Sequence, residues 1–262
     1  MKGLPNLPDF KKSGIRIFAL LAVLMISLFA GTEVQAQSAV PNININIGGE
    51  DNEDYSLAIQ TLIILTLLSF GPAIVTMMTS FTRIIVVFFF LRMGLGTQQS
   101  PPNQVLLGLA LFITIFIMMP TFDRITDEAI TPYSNEEITQ AQALDAAAVP
   151  LKEFMIQQTR EEDLLLFMDL GGYTSVSEPG ALPLFAVVPA YVISELRIAF
   201  QIGFMIYLPF MVIDLVVASV LLSMGVMFLP PVLVSLPFKI LVFVLTDGWY
   251  LLVESLVKSF NG

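Results

Sequence analysis

Several ionisable side chains lie within an apolar stretch that runs from residue 182 to residue 262. They are Glu195, Arg197, Asp214, Lys239, Asp247 and Glu254. On a lipid-facing helix each would cost several kcal/mol, so we expect them to face other protein or a wet cavity. Buried ion pairs stabilise poorly but can specify assembly geometry. We therefore interpret Glu195, Arg197, Asp214, Lys239 and Asp247 as buried charges that set the register between subunits, with the carboxylates pairing to Arg197 and Lys239. A proton relay through Asp214, Glu195 or Asp247 is the alternative.

The residues needed for common catalytic and metal sites are missing from this sequence. It contains no His and no Cys, which excludes His acid–base chemistry, Cys nucleophiles and most zinc and haem sites. Serine-hydrolase, zinc-protease and phosphate-loop patterns are also missing. We therefore predict no enzyme activity, no cofactor and no metal. The net charge of −10 argues against nucleic acid as a partner.

A short bend at residues 224–231 separates two long apolar arms, Leu182 to Leu222 and Val232 to Val257. The bend reads MGVMFLPP, and its prolines cannot continue a helix that arrives from their N-terminal side. The pattern predicts a helical hairpin. Its bulky apolar side chains, contributed by several copies, could form a deformable constriction that closes by dewetting. The candidate gate residues are Met224, Val226, Met227 and Phe228, and ordinary loop packing is the alternative.

The composition is that of a membrane protein. Hydrophobic residues make up 56% of the chain and charged residues 13%, whereas a soluble domain has about 25% charged residues. Residues 1–36 combine a basic start with a short apolar run, which predicts a signal peptide cleaved between Ala36 and Gln37. An uncleaved anchor is the alternative. Cleavage would place the new N-terminus outside the cytoplasmic membrane.

The remaining chain divides by composition into four segments. Residues 37–56 are predicted to be a flexible arm, and residues 57–120 a first helical hairpin of short, broken apolar runs, the last one closed by Pro120. Residues 121–181 form an acidic insert poor in Lys and Arg, as expected outside the membrane. We interpret its acidic face as a solvated surface, with a specific docking site as the alternative. Residues 182–262 form the second hairpin. The predicted fold class is all-α.

Patterns in the insert predict three short helices. Residues 134–137 read as a capping box that opens a helix to Ala148, and Pro150 suits the first turn of a second helix. Residues 159–162 read as a capping box for a third helix, which ends near Leu170. Beyond the bend, the second arm is predicted to be one helix containing Asp247 and Gly248. Glu254 and Lys258 are spaced to pair.

Several short motifs combine apolar residues with Gly, Pro and single charges. They are MTSFTRIIVV at 78–87, GLGTQQSPPNQ at 94–104, PAYVISELRIAFQIGF at 189–204, LPFMVID at 208–214, LPFK at 236–239 and DGW at 247–249. Together they resemble the FliP family of the flagellar type III export apparatus, from about Leu57 onward. Because the motifs lie in different segments, the resemblance covers most of the chain.

The resemblance implies a subunit of a cone-like helical export gate, in which unfolded flagellar subunits pass through a central channel. Several copies, expected as a pentamer, would assemble with FliQ and FliR. FlhB and FlhA would contact the gate from the cytoplasmic side, and FliO would assist assembly. The gate would lie in the inner membrane at the flagellar basal body, in contact with lipid, with a large part raised into the periplasm.

The bend departs from the family pattern. Many relatives carry three successive methionines there, whereas this chain reads Val226-Met227-Phe228, with Met224 two residues earlier. The resemblance favours a gate at 224–228 but leaves open which side chain closes it. The alternatives are a scaffold without a pore of its own and the equivalent subunit of an injectisome. A small-solute transporter is disfavoured because no inverted repeat is visible.

Overall fold

The computed structural model describes residues 76–97, 100–173, 182–226 and 228–260, with isolated positions between 62 and 73. The chain divides into two units, Met1–Val75 and Thr76–Gly262. In the first unit the described positions are helical, and the hydroxyls of Thr66 and Ser69 donate to carbonyls four residues earlier at 2.8 Å. The predicted signal peptide, its cleavage between Ala36 and Gln37, and the 37–56 arm lie outside the described residues.

The described part of the second unit is helical and contains no strand, which confirms the all-α class for these residues. The helices, in chain order, are α1 (Phe81–Leu95), α2 (Asn103–Ile125), α3 (Thr131–Ser134), α4 (Gln140–Gln158), α5 (Glu161–Leu170), α6 (Leu184–Ser223), α7 (Pro231–Leu245) and α8 (Gly248–Lys258). A π-helical turn, Thr126–Ile130, joins α2 to α3.

The core lies where α1 packs along the first half of α6, with α2 and α8 beside them. Gly203 of α6 makes this packing close. A side chain at that position would begin 2.8 Å from the Cβ of Phe90 on α1, so any larger residue would push the helices apart. Fully buried apolar side chains fill the rest of the core; they include Ile84, Val87, Phe88, Leu91, Leu106, Ala110, Ala199 and Leu256.

Among the described residues, two helices are long and apolar enough to cross a membrane, and α7 with α8 would make a third span if the bent pair crosses as one. The stretch Asn103–Ser134 has 32 residues and α6 has 40. The predicted helix end at Pro120 is wrong, because α2 continues through this residue to Ile125, so the proposed boundary at 120/121 falls inside a helix. A proline removes one backbone hydrogen bond, and packing of α2 on α1, α4 and the π-helical turn offsets that loss. Likewise α6 is continuous through Pro189 and Pro209.

The helices of the insert begin and end at other residues than its sequence pattern predicts. Pro150 lies inside α4, so the two helices predicted around it are one. The capping box that opens α4 is formed by Thr139 and Gln142. Ser134 instead ends α3 and donates to the carbonyl of Ile130 at 2.8 Å. The prediction failed because two successive stretches, 134–137 and 139–142, carry capping residues and only the later one adopts the extended cap conformation. The third helix, α5, ends at Leu170 as predicted, but no side chain caps its start.

The second arm after the bend is broken, contrary to the prediction of one helix. The axes of α7 and α8 differ in direction by 64°, and Asp247 at the break has a left-handed backbone with φ 51°. Gly248 allows the break to be tight, because a Cβ there would lie 2.3 Å from the ring of Phe243. The interpretation of Asp247–Gly248 as helix-internal is therefore wrong.

Candidate functional site

The bend between α6 and α7 is an exposed apolar tip. Helix α6 ends in a Schellman motif, in which the Gly225 N–H donates to the Leu222 carbonyl and the Val226 N–H to the Leu221 carbonyl, both at 3.0 Å. Gly225 has φ 75°, which its missing Cβ permits. Phe228, after this glycine, is 83% exposed, and Met224, directly before it, is 69% exposed.

Val226 and Met227 are the other two predicted gate residues of the bend. Val226 is half-buried, and Met227 lies outside the described residues. Pro230 precedes α7 and Pro231 occupies its first turn, where a missing N–H costs no hydrogen bond. The sequence therefore located the bend correctly, whereas a gating role for its side chains stays a prediction.

An ion pair joins the two arms of the hairpin behind this tip. Lys239 of α7 is almost fully buried and its ammonium donates to Asp214 of α6 at 2.7 Å. The same ammonium donates to the carbonyl of Gly94 near the end of α1 at 2.9 Å, where the helix dipole favours a cation. The Asp214 carboxylate also accepts from the Ser235 hydroxyl at 2.5 Å. The pairing of Asp214 with Lys239 predicted from the sequence is thus present within one chain.

A second ion pair lies at the junction with the insert. The guanidinium of Arg83 donates to both carboxylate oxygens of Glu195, at 2.5 and 2.8 Å, and both side chains are buried. It also donates to the backbone and hydroxyl oxygens of Ser259 and to Gln158. The Phe260 ring lies 3.7 Å from the guanidinium carbon. This Arg83 hub, formed by Arg83, Gln158, Glu195, Ser259 and Phe260, joins α1, α4, α6 and the turn after α8.

Sequence reasoning missed Arg83 as the partner of Glu195. In the sequence Arg83 stood out only as part of the MTSFTRIIVV motif at 78–87, and Arg197 was expected to pair instead. On a helix, residues two apart point in different directions, and Arg197 is exposed, reaching Glu162 only at 4.0 Å. The two arginines of α1 and the one Glu of α6 gave a signal, but the sequence does not state which charges meet.

The remaining predicted charges are not buried within the chain. Asp247 is exposed, as is Arg197, so their role in subunit register stays a prediction about contacts with other molecules. Glu254 and Lys258 form an ion pair at 2.7 Å, which confirms the pair expected from their spacing. Among the described residues, no three acidic side chains converge as a metal site would require. The arrangement therefore provides structural ion pairs and apolar surface.

The second half of α6 carries a long uncovered apolar surface. Its last buried residue is Phe210, thirteen positions before the helix ends. Beyond it, Leu215 is 71% exposed and Leu222 is 60% exposed. Extended exposed apolar patches mark surfaces that contact lipid or protein.

Comparison with known proteins gives the family. A FliP family model matches residues 64–256. The flagellar biosynthetic protein FliP of Bacillus subtilis strain 168 is 54% identical over 220 residues, which cover 82% of this chain and 98% of the relative. That of Pectobacterium carotovorum is 47% identical over 263 residues, 99% of each chain. That of Aquifex aeolicus is 48% identical over 226 residues, 86% of this chain and 93% of the relative. With its apolar helices and internally paired charges, this chain belongs to the FliP family of flagellar biosynthesis proteins.

Proposed function

We propose that this chain is a core subunit of the flagellar type III protein export gate. Several copies, arranged as a pentamer, form a channel through which unfolded flagellar subunits leave the cell. The relatives' names support the flagellar machine over an injectisome. The apolar helices support a place in the membrane.

One observation carries the channel proposal, namely that the tip at 224–230 exposes bulky apolar side chains on a fixed base. Met224 and Phe228 are exposed, while the Asp214–Lys239 pair holds the two arms together behind them. Copies arranged around an axis would bring these tips together as an apolar ring. Such a ring excludes ions by dewetting, and unbranched Met can rearrange as a chain passes. Met224, Val226, Met227 and Phe228 form the constriction in this proposal.

The length of α6 supports a gate that extends beyond the bilayer. Its 40 residues span about 60 Å, whereas the hydrocarbon core of a bilayer is about 30 Å thick. A helix of this length fits a bilayer of this thickness if it is strongly tilted or partly raised out of the membrane. The gate then lies in the inner membrane at the basal body, with the acidic insert on the periplasmic side and with lipid against part of its outer surface.

Other chains complete the assembly in this proposal. FliQ and FliR join the ring of copies, FlhB and FlhA contact it from the cytoplasmic side, and FliO assists assembly. Arg197 and Asp247, which are exposed in the single chain, are placed to set register against neighbours. Glu195, Asp214 and Lys239 hold each subunit in shape through their internal pairs.

The test replaces Val226, Met227 and Phe228 together with Ala or Gly. We expect correctly assembled complexes that leak ions and small solutes, because the ring loses the bulk that excludes water. Membrane permeability is measured in cells and complex size in mild detergent. The matched control is Phe185→Ala, which removes another exposed side chain (90%) far along the same helix and is expected to cause no leak.

Unchanged permeability in assembled complexes would contradict the gate and leave the scaffold function. Cross-links from a stalled export substrate to residues 224–228 would distinguish the two independently.

A further inference from the structure

The end of α1 lies against the first turn of α7, next to the bend. Gly96 directly follows α1 and has a left-handed backbone with φ 75°. A Cβ at this position would lie 3.3 Å from Cγ1 of Val232 and 3.7 Å from Nζ of Lys239. Val232 is the second residue of α7. The first turn of α7 therefore rests on the backbone of Gly96, at a distance that leaves no room for a side chain.

The side chain of Val232 cannot easily turn away from this contact. Carbon atoms pack best at about 3.5–4.0 Å, and a valine in a helix keeps mainly one rotamer. A methyl group added at Gly96 would therefore displace the backbone of α7. Lys239 prevents α7 from sliding along α1 to relieve the contact, because its ammonium donates to the Gly94 carbonyl at 2.9 Å. Gly96 thus sets how closely the start of α7 approaches α1.

The connection from Val232 back to the bend is stiff. Pro230 and Pro231 directly precede Val232, and their rings hold φ near about −65°. A displacement of the first turn of α7 is therefore passed on to Phe228. On the α6 side of the bend, Gly225 can adapt, because no Cβ restricts its backbone. The exposed side chain of Phe228 should consequently follow the start of α7 more closely than the end of α6.

We propose that Gly96 is a positioning residue of the gate. Its missing side chain seats the first turn of α7, and through the two prolines this seat fixes where Phe228 lies. A larger residue at this position moves the apolar tip out of line with the tips of neighbouring copies and weakens the seal. The inference rests on the proposed function, because it requires that several tips meet around one axis.

The first arm of the experiment compares two glycines that share a backbone conformation. Gly172 has φ 65°, but a Cβ there would have no atom within 4 Å among the described residues. Substitution at either glycine adds backbone strain, and only substitution at Gly96 adds the contact with Val232. We expect complexes carrying Gly96→Ala to leak ions several-fold more than the wild type and those carrying Gly96→Leu to leak more still. Gly172→Ala and Gly172→Leu should not leak, and equal permeability of the two series overturns the proposal.

The second arm separates the contact from the strain. In a Val232→Ala background the methyl group added by Gly96→Ala no longer meets Cγ1, so the double variant should leak no more than Val232→Ala alone. A further rise in the double variant means that backbone strain causes the leak, and it overturns the proposal. If Gly96→Ala alone fails to assemble, Val232→Ala should restore complexes of normal size in mild detergent. A double variant that still fails to assemble also overturns it.

The third arm follows the tip itself. The chain contains no Cys, so Phe228→Cys provides a single attachment point for a spin label at an exposed position. We expect the mobility of this label, measured by electron paramagnetic resonance in the detergent-solubilised complex, to change in Gly96→Leu and to stay the same in Gly172→Leu. An unchanged mobility in Gly96→Leu overturns the proposal, because the tip then does not depend on this seat.

The two proposals fail separately. The gate is tested by changing residues 226–228 with Gly96 intact, whereas the label reports the position of the tip whether or not the complex leaks. A changed label without any leak from the 226–228 variant would keep the positioning role and remove the gate. A leak from that variant, with no change of label or permeability on substitution of Gly96, would do the reverse.

Discussion

The two halves of α6 differ in what covers them. From Ala186 to Phe210 the helix buries side chains against α1, α4 and α5, and the Arg83 hub satisfies its one buried carboxylate. From Met211 to Ser223 no residue is buried; Ile213 packs against the edge of the core, and Asp214 pairs with Lys239 of α7. The first half is thus completed by its own chain, whereas the second half presents apolar surface to other molecules. The difference indicates that the first half of α6 is completed by folding of the chain, and in the proposed assembly the second half would contact other subunits.

The largest effect should come from breaking the Arg83 hub. Arg83→Ala leaves the buried Glu195 carboxylate without a counter-charge, which costs about 3–5 kcal/mol. The free energy of unfolding, measured by denaturant titration of the detergent-solubilised protein, should fall accordingly. Adding Glu195→Gln should recover part of the loss, because the unpaired charge is removed.

The control for this prediction is Arg124→Ala. Arg124 pairs with Glu128 and Glu153, but its side chain is 45% exposed, so water replaces its partners and we expect little change. Equal effects of the two substitutions would mean that burial does not distinguish the pairs.

A smaller loss should follow from Gly203→Ala in the completed half of α6. The added Cβ would meet Phe90 at distances down to 2.5 Å, and forcing α1 and α6 apart costs about 1–3 kcal/mol. The matched change, Gly108→Ala in α2, meets nothing within 4 Å and should raise stability by up to about 1 kcal/mol, since Ala favours helix. The same titration measures both, and a stabilising Gly203→Ala would contradict the close packing of α1 on α6.

The smallest effect on stability is expected in the uncovered half. Leu215→Ala should change the free energy of unfolding of the single chain by less than about 0.5 kcal/mol, because Leu215 is 71% exposed. Leu91→Ala, at a position only 1% exposed, should cost about 2–5 kcal/mol. Recovery of the full complex in mild detergent should nevertheless fall for Leu215→Ala. A large loss of single-chain stability at Leu215 would show that this half is not reserved for assembly.

The sequence predicted the hairpin better than it predicted where helices end. Gly225, Pro230 and Pro231 predicted the bend correctly, because the backbone conformations that Gly and Pro favour depend on the residue itself. Pro120 and Pro150 misled the same reasoning, because tertiary packing carried the helices through them. The pairing of Asp214 with Lys239 was predictable from two charges on facing arms. Pairing Glu195 with Arg83 was not, since it depends on how α1 crosses α6 and on no local pattern.

The break at Asp247 was missed for a related reason. Its left-handed backbone depends on Gly248 packing against Phe243, which is a contact between helices rather than a turn motif. The candidate gate was found in the sequence because a bend concentrates unusual residues.

The Arg83 hub also sets an order of events during synthesis. Its partners Gln158, Glu195 and Ser259 lie 75, 112 and 176 residues later in the chain. At about 5–20 residues per second, Ser259 emerges about 10–35 seconds after Arg83. The guanidinium therefore acquires its carboxylate well before its last hydrogen-bond acceptors, and contacts this distant in sequence form late because loop closure is slow. For that interval the nascent chain carries an arginine whose full set of partners has not yet been synthesised.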